Sequence, residues 1–138
     1  MAKLTGGCQC RAVRYEIEAA PFIAAHCQCT DCKRASGAGH MTSAAFLEVA
    51  VDMKGTLTTY SSRAGSGATV SRQFCSTCGG RIAYRTPNVP GVVFIAAGSL
   101  DDPAAITPTM AIHDAHHAAW DHLDPALPRF QQGPPRRP

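Results

Sequence analysis

The sequence predicts an all-β fold in a small single domain, and three observations carry that reading. Short stretches alternate apolar and polar residues at the period of two that a half-buried strand requires. Ten prolines and twelve glycines in 138 residues interrupt the chain too often for a helical bundle. Long stretches with helical apolar spacing are few. A hydrophobic content of 45% with 17% charged residues suits one compact core, and excludes both a disordered chain and a membrane protein. Thirteen Lys and Arg against ten Asp and Glu leave a formal charge of +3. That surplus is too weak to indicate nucleic acid or a membrane surface as partner.

Taken in order, residues 11–18 alternate as a strand that puts Val13, Tyr15 and Ile17 on one face. Residues 19–21 form a turn and residues 22–26 a second strand, a hairpin that would bring the first two cysteine clusters together. Thr30 is the expected N-cap of a short helical turn over residues 31–35, which Gly37 and Gly39 end. Further strands are expected at residues 41–46, 56–61, 69–74, 81–85 and 92–97. Residues 63–68 read as a hairpin tip and residues 86–91 as a loop with two prolines. Residues 131–138 lack large apolar side chains and are expected to be a disordered tail on a domain of residues 1–130.

The informative residues are the seven cysteines, which fall in three clusters: Cys8 and Cys10, then Cys27, Cys29 and Cys32, then Cys75 and Cys78. Residues 1–7 contain no apolar signal region, so a reducing cytoplasmic setting is expected and disulfides are not. An odd count of closely spaced thiols suits a metal better than cross-links. Zinc takes thiolates tetrahedrally at about 2.3 Å, so ligand sulfurs must approach to roughly 3.8 Å, which an extended backbone does not permit. Gly6-Gly7 before Cys8 and Gly79-Gly80 after Cys78 supply residues free to take positive φ and curl the chain.

Seven thiolates divide into a closed structural site of four and a site of three with one position open to water or substrate. Spacing permits Cys8, Cys10, Cys75 and Cys78 as the four with Cys27, Cys29 and Cys32 as the three. It equally permits Cys8, Cys10, Cys27 and Cys29 as the four with Cys32, Cys75 and Cys78 as the three. Thioredoxin-like redox chemistry at Cys75 and Cys78 is set aside, because no βαβ pattern surrounds the pair.

Gly6-Gly7-Cys8-Gln9-Cys10, His26-Cys27-Gln28-Cys29-Thr30-Asp31-Cys32-Lys33-Arg34-Ala35-Ser36-Gly37 and Phe74-Cys75-Ser76-Thr77-Cys78-Gly79 together resemble the glutathione-dependent formaldehyde-activating enzyme family, which also contains centromere protein V. Ala97-Gly98-Ser99-Leu100-Asp101-Asp102-Pro103 and Leu127-Pro128-Arg129-Phe130 resemble its later landmarks, so the similarity spans residues 5–130. The resemblance implies a tent-like all-β fold with two zinc ions per chain. It implies Cys8, Cys10, Cys75 and Cys78 as the structural zinc site, and Cys27, Cys29 and Cys32 as the catalytic one. It further implies a carbon–sulfur lyase that adds glutathione to formaldehyde, giving S-hydroxymethylglutathione; the modest charge and the lack of an extended basic arm lead us to expect no nucleic acid, and no membrane partner is expected. The alternative is a non-catalytic zinc-stapled module that binds a protein or chromatin partner.

The chain departs from the family pattern at residues 111–120, where Ala111 takes a usual His position and His113, His116 and His117 replace other residues. These histidines are candidates for a proton relay, His26 for a partner of a thiolate, and His40 for a pocket lining. Lys33, Arg34, Arg72 and Arg85 are the cations nearest the cysteine motifs that could receive glutathione carboxylates. The single Trp120 is expected over the core or a pocket.

Overall fold

The computed structural model describes residues 3–135. Its strands are β1 (Leu4–Gly7), β2 (Arg14–Ile17), β3 (Ile23–Cys27), β4 (Met41–Leu47), β5 (Val51–Lys54), β6 (Leu57–Arg63), β7 (Thr69–Cys75), β8 (Arg81–Arg85), β9 (Val92–Ala96) and β10 (Met110–Ile112). One α-helix, α1 (Thr30–Ser36), follows the second cysteine cluster. The strands form a three-stranded sheet ordered β1-β2-β5 and a seven-stranded sheet ordered β10-β3-β4-β9-β8-β7-β6. Neighbours are antiparallel except β10, which runs parallel to β3. The predicted all-β class with one short helix is what the chain adopts. Among the described residues, no helix is long and apolar enough to cross a membrane.

Alternation explains the packing. Val13, Tyr15 and Ile17 are fully buried from the small sheet, and meet Phe46, Ile82, Val93 and Ile95 from the large one in a single core. The opposite face of the large sheet carries the intervening residues, with Ala45 opposite Phe94 and Phe94 opposite Tyr84, whose rings stack at 4.6 Å. That second face holds Cys27 and Met41, against which α1 packs with Cys32 and Ala35.

Three expectations need correction. Residues 11–18 and 22–26 do not pair as a hairpin: β2 lies between β1 and β5, whereas β3 lies between β4 and β10. The connection crosses from one sheet to the other, with Glu18 N–H bound to the Ala50 carbonyl at 3.2 Å and Phe22 N–H to the Ala45 carbonyl at 2.8 Å. The first strand also begins later, at Arg14, because residues 8–13 form a tight turn in which Arg11 takes φ 68°. Gly6, Gly7 and Gly80 do not take positive φ; among the four glycines flanking the clusters only Gly79 does, at 77°. The strands β1, β5 and β10, of four, four and three residues, are too short for periodicity to reveal. Within the tail expected from residue 131, the Gln132 carbonyl accepts from His113 N–H at 2.7 Å. Residues 136–138 of that tail lie outside the described residues.

A turn after β9 fastens the two sheets together. Tyr15 Oη and Ser99 Oγ are hydrogen-bonded at 2.7 Å, and Asp101 N–H donates to the Thr5 carbonyl at 2.9 Å. Arg14 grips both Asp101 carboxylate oxygens, and Thr5 Oγ1 donates to one of them at 2.7 Å. The Arg14 guanidinium, with the Thr5 hydroxyl, holds the Asp101 carboxyl well below the usual carboxylate range. At this junction Gly6 is required for space rather than for φ: a Cβ there would stand 2.3 Å from Tyr15 Oη and 2.5 Å from the Ser99 carbonyl oxygen. Gly6→Ala is therefore expected to lower unfolding stability by about 1–3 kcal/mol through overpacking. Gly98→Ala, where the new Cβ meets nothing within 4 Å, should stay within about 0.5 kcal/mol of the parent. Urea denaturation of both variants checks this, and equal losses would refute it.

Candidate metal centres

The structure gathers the seven thiols as four and three. Cys8, Cys10, Cys75 and Cys78 have ligand atoms within 4.8 Å of one another, and so do Cys27, Cys29 and Cys32. The alternative grouping of Cys32 with Cys75 and Cys78 is not assembled. All seven cysteines are free thiols.

The first group joins two distant pieces of chain. The turn from Cys8 to Val13, closed by Cys8 N–H to the Val13 carbonyl at 3.1 Å, delivers Cys8 and Cys10. The turn after β7, closed by Gly79 N–H to the Cys75 carbonyl at 2.9 Å, delivers Cys75 and Cys78. Cys8 and Cys10 sulfurs lie 3.6 Å apart and Cys10 and Cys75 sulfurs 3.7 Å, near the tetrahedral edge of about 3.8 Å set by zinc–thiolate bonds. Backbone N–H groups of Val13, Thr77 and Cys78 donate to the Cys8 and Cys75 sulfurs at 3.2–3.4 Å. Backbone donors from Cys10 and Gly80 likewise bring the Cys78 thiol down to about 6. A donor set of four such sulfurs fits a soft divalent ion in a closed site.

The second group arises within one short stretch. Cys27 ends β3, Cys29 caps α1, and Cys32 sits one turn into the helix. The N-cap is Cys29 rather than the expected Thr30: its sulfur accepts from Cys32 N–H at 3.3 Å, as a capping hydroxyl would. Gly37, at φ 70°, ends the helix as expected. Hydrogen bonds from the Cys27 and Cys32 thiols hold Cys29 far below the usual thiol range, and the same contacts push Cys27 up. Three sulfurs fit a metal that keeps a fourth position for another ligand.

Around this triad the sheet face changes character along its length. Beside α1 a cleft of about 300 Å³ is lined by Arg34, Arg63, Arg72 and Arg81 with the single carboxylate Asp31. The Arg72 charge favours the Cys32 thiolate, and its buried Nε–H has no hydrogen-bond partner among the described residues. Cys27 itself opens onto a larger apolar cavity. Tyr84 lies at this boundary, its hydroxyl 3.4 Å from Ser43 Oγ and its pKa raised by burial, so that it remains a proton donor.

Other candidates fall elsewhere. Lys33 binds the His116 carbonyl at 2.6 Å, and Arg85 is held by Glu48 and Gln73. His26 and His40 pack edge to face at 4.9 Å, His26 bound to Thr42 and His40 donating to Asp121 at 2.7 Å. His40 lines a polar cleft beside Cys8 rather than the triad. His113 stands near enough to Cys29 to favour its thiolate, while His116 and His117 are exposed. Trp120, at 69% exposed, covers neither core nor pocket. Ala111 is fully buried where β10 lies beside β3, opposite His26. Arg63, Arg81, Tyr84 and Ser43 were not singled out from the sequence. Only the cross-strand register, which sets Arg72 opposite Tyr84, reveals them.

This is a small two-sheet β protein with two groups of clustered thiols that could hold metal ions. Residues 3–116 match the family model of the glutathione-dependent formaldehyde-activating enzymes, and the chain belongs to that family. Membership connects it with formaldehyde activation that depends on glutathione. No curated protein matches the chain. Among solved structures, a Rhodobacter sphaeroides protein from a structural-genomics programme shares the fold with a TM-score of 0.59 at 21% identity, over 91% of this chain and 98% of that one.

The loop bearing the triad is anchored by Gln28, fully buried between Cys27 and Cys29, which donates to Asp114 Oδ1 at 2.9 Å. Arg129 donates to the same oxygen at 2.9 Å. The Gln28 hydrogen bond, followed by that of Arg129, lowers the Asp114 pKa from its ordinary value. A carboxylate depressed on folding adds stability above its unfolded pKa of about 3.9 and loses it as pH falls through the folded value. Asp114→Asn is expected to narrow its stability gap to the parent below about pH 4 and to show the full deficit near pH 6. Urea midpoints across that range check it, and a gap independent of pH would refute it.

Proposed function

We propose that this chain is a zinc-dependent carbon–sulfur lyase that combines a small thiol, glutathione by family, with formaldehyde to give S-hydroxymethylglutathione. In this reading Cys8, Cys10, Cys75 and Cys78 hold a structural zinc ion. Cys27, Cys29 and Cys32 hold a second, catalytic one. The observation that carries it is a group of three sulfurs, one short of a tetrahedral set, near a cleft of four arginines.

A zinc ion bound by the triad supplies positive charge that favours the thiolate form of an incoming thiol. The protein's own groups do the rest. Arg34, Arg63, Arg72 and Arg81 suit a substrate with two carboxylates, each guanidinium offering paired donors. Arg72 adds positive charge beside Cys32, where substrate sulfur would carry negative charge. The Tyr84 hydroxyl, kept protonated by burial and steadied by Ser43, is positioned to donate to an oxygen that gains charge as the carbonyl is attacked. In the addition a carbon–sulfur bond forms, the carbonyl π bond opens, and the thiol proton ends on the new hydroxyl.

Cys32→Ser separates this reading from a metal-stapled binding module. The variant should remain folded and drop from two bound zinc ions to one, while glutathione–formaldehyde exchange followed by NMR loses its acceleration. A folded one-zinc variant with unchanged exchange would refute the assignment.

A further inference from the structure

The apolar cavity at Cys27 has no evident use for formaldehyde. It occupies about 510 Å³ and opens onto Cys27. Its floor is the outer face of the large sheet, with Ala25, Ala45 and Phe94, and its far wall is the β6–β7 hairpin, with Val70 and Ala68. None of its lining side chains among the described residues is charged, and the few polar ones are Ser, Thr, Asn and the Tyr84 hydroxyl. A partly walled volume of this size lies within the ordinary range of small-molecule sites. Formaldehyde carries no substituent to fill it, and a dicarboxylate thiol would have to leave its charges unpaired there. The arginine cleft shares no lining residue with it, so a substrate with a charged and an apolar end has a separate place for each.

We propose that this chamber receives the carbon substituent of an aldehyde larger than formaldehyde, an aliphatic or aromatic group of about six carbons. The proposal rests on the thiol–aldehyde reading of the triad. The anionic thiol lies against the arginines, and the aldehyde lays its chain in the chamber between Phe94 and Val70. Its carbonyl is left between Cys27 and the Ser43 and Tyr84 hydroxyls. The reaction remains the addition of a thiol to a carbonyl, and the product is a thiohemiacetal whose new hydroxyl takes the thiol proton. Ala25 and Val70, both half-buried, then determine how long a chain is accepted.

The test pairs exchange with binding, using the full chain loaded with zinc. Glutathione exchange with hexanal and with formaldehyde is followed by NMR, and unreactive 1-hexanol is titrated while backbone amide shifts are recorded. Hexanol should shift the amides of Ala25, Ala45 and Phe94. Ala25→Phe and Val70→Trp, two independent ways to fill the chamber, should each abolish those shifts and slow hexanal exchange by about tenfold or more, leaving formaldehyde exchange within about twofold. Formaldehyde exchange without hexanol binding in the chamber would overturn this inference alone. Hexanol binding with neither aldehyde accelerated would overturn the catalytic reading and the aldehyde assignment with it. A wild-type dimer that Val89→Glu dissociates would place a second copy over the rim, where Phe22 and Val89 are exposed, and would also overturn the inference.

Discussion

The structure depends on one geometric requirement: sulfurs 65 residues apart in the chain, Cys10 and Cys75, must come within 3.7 Å, with Cys8 and Cys78 beside them. Like sulfurs at that distance gain little from one another, and as thiolates they repel. A cation bound between them would convert the cluster into a long-range tie between the two turns. Meeting that requirement places the β1–β2 turn against the turn after β7, and so sets the small sheet across the large one. The Arg14–Asp101–Thr5 contacts and the Tyr15–Ser99 hydrogen bond fasten the same two layers at a second point. With two such fastenings the packed faces need little area, and three short strands are enough to cover the core.

Covering one face leaves the other available. The large sheet has seven strands against three in its partner, and the alternation that buries Phe46, Val93 and Ile95 turns Ala45, Phe94 and Tyr84 outward. Helix α1 shields only the end of that outer face near Cys27. The thiol triad thus stands at the helix end of an exposed surface, whereas the four-sulfur group ties the layers together. The two groups contain the same ligand chemistry. Their difference lies in origin: four sulfurs from two separate turns close around a centre, while three from six consecutive residues leave one side of it open.

The sequence disclosed this site unevenly, for physical reasons. Thiols announce themselves, because Cys is scarce and its spacing reflects local geometry; all seven were legible, whereas spacing left the choice of four and three open and only the family resemblance implied the grouping that the structure assembles. Strands with clear alternation, such as residues 81–85 and 92–97, were also readable, as was the helix stop at Gly37. The pairing of strands was not. Residues 11–26 look like a hairpin because nothing local says that residues 18–22 change sheets. Cys29 as helix cap was missed because a sulfur seldom does the work of a hydroxyl. The arginine cleft depends on register: Arg34 on a helix, Arg63 at a hairpin tip and Arg72 and Arg81 on adjacent strands share no local pattern.

The gradient along the outer face gives the triad its direction. Four guanidiniums near three sulfurs offset the negative charge that metal-bound thiolates would carry, which keeps such a centre able to accept a further anionic sulfur. Were the arginines distributed around the triad, they would orient nothing. Gathered in one cleft, with the uncharged chamber lined by other residues, they make the reversed arrangement of a polar thiol costly through desolvation of its carboxylates. In the proposed reading the family's thiol dependence and the apolar chamber belong to one arrangement: a charged end held by the arginines, a reactive sulfur at the triad, and an uncharged space whose walls decide which carbonyl can approach.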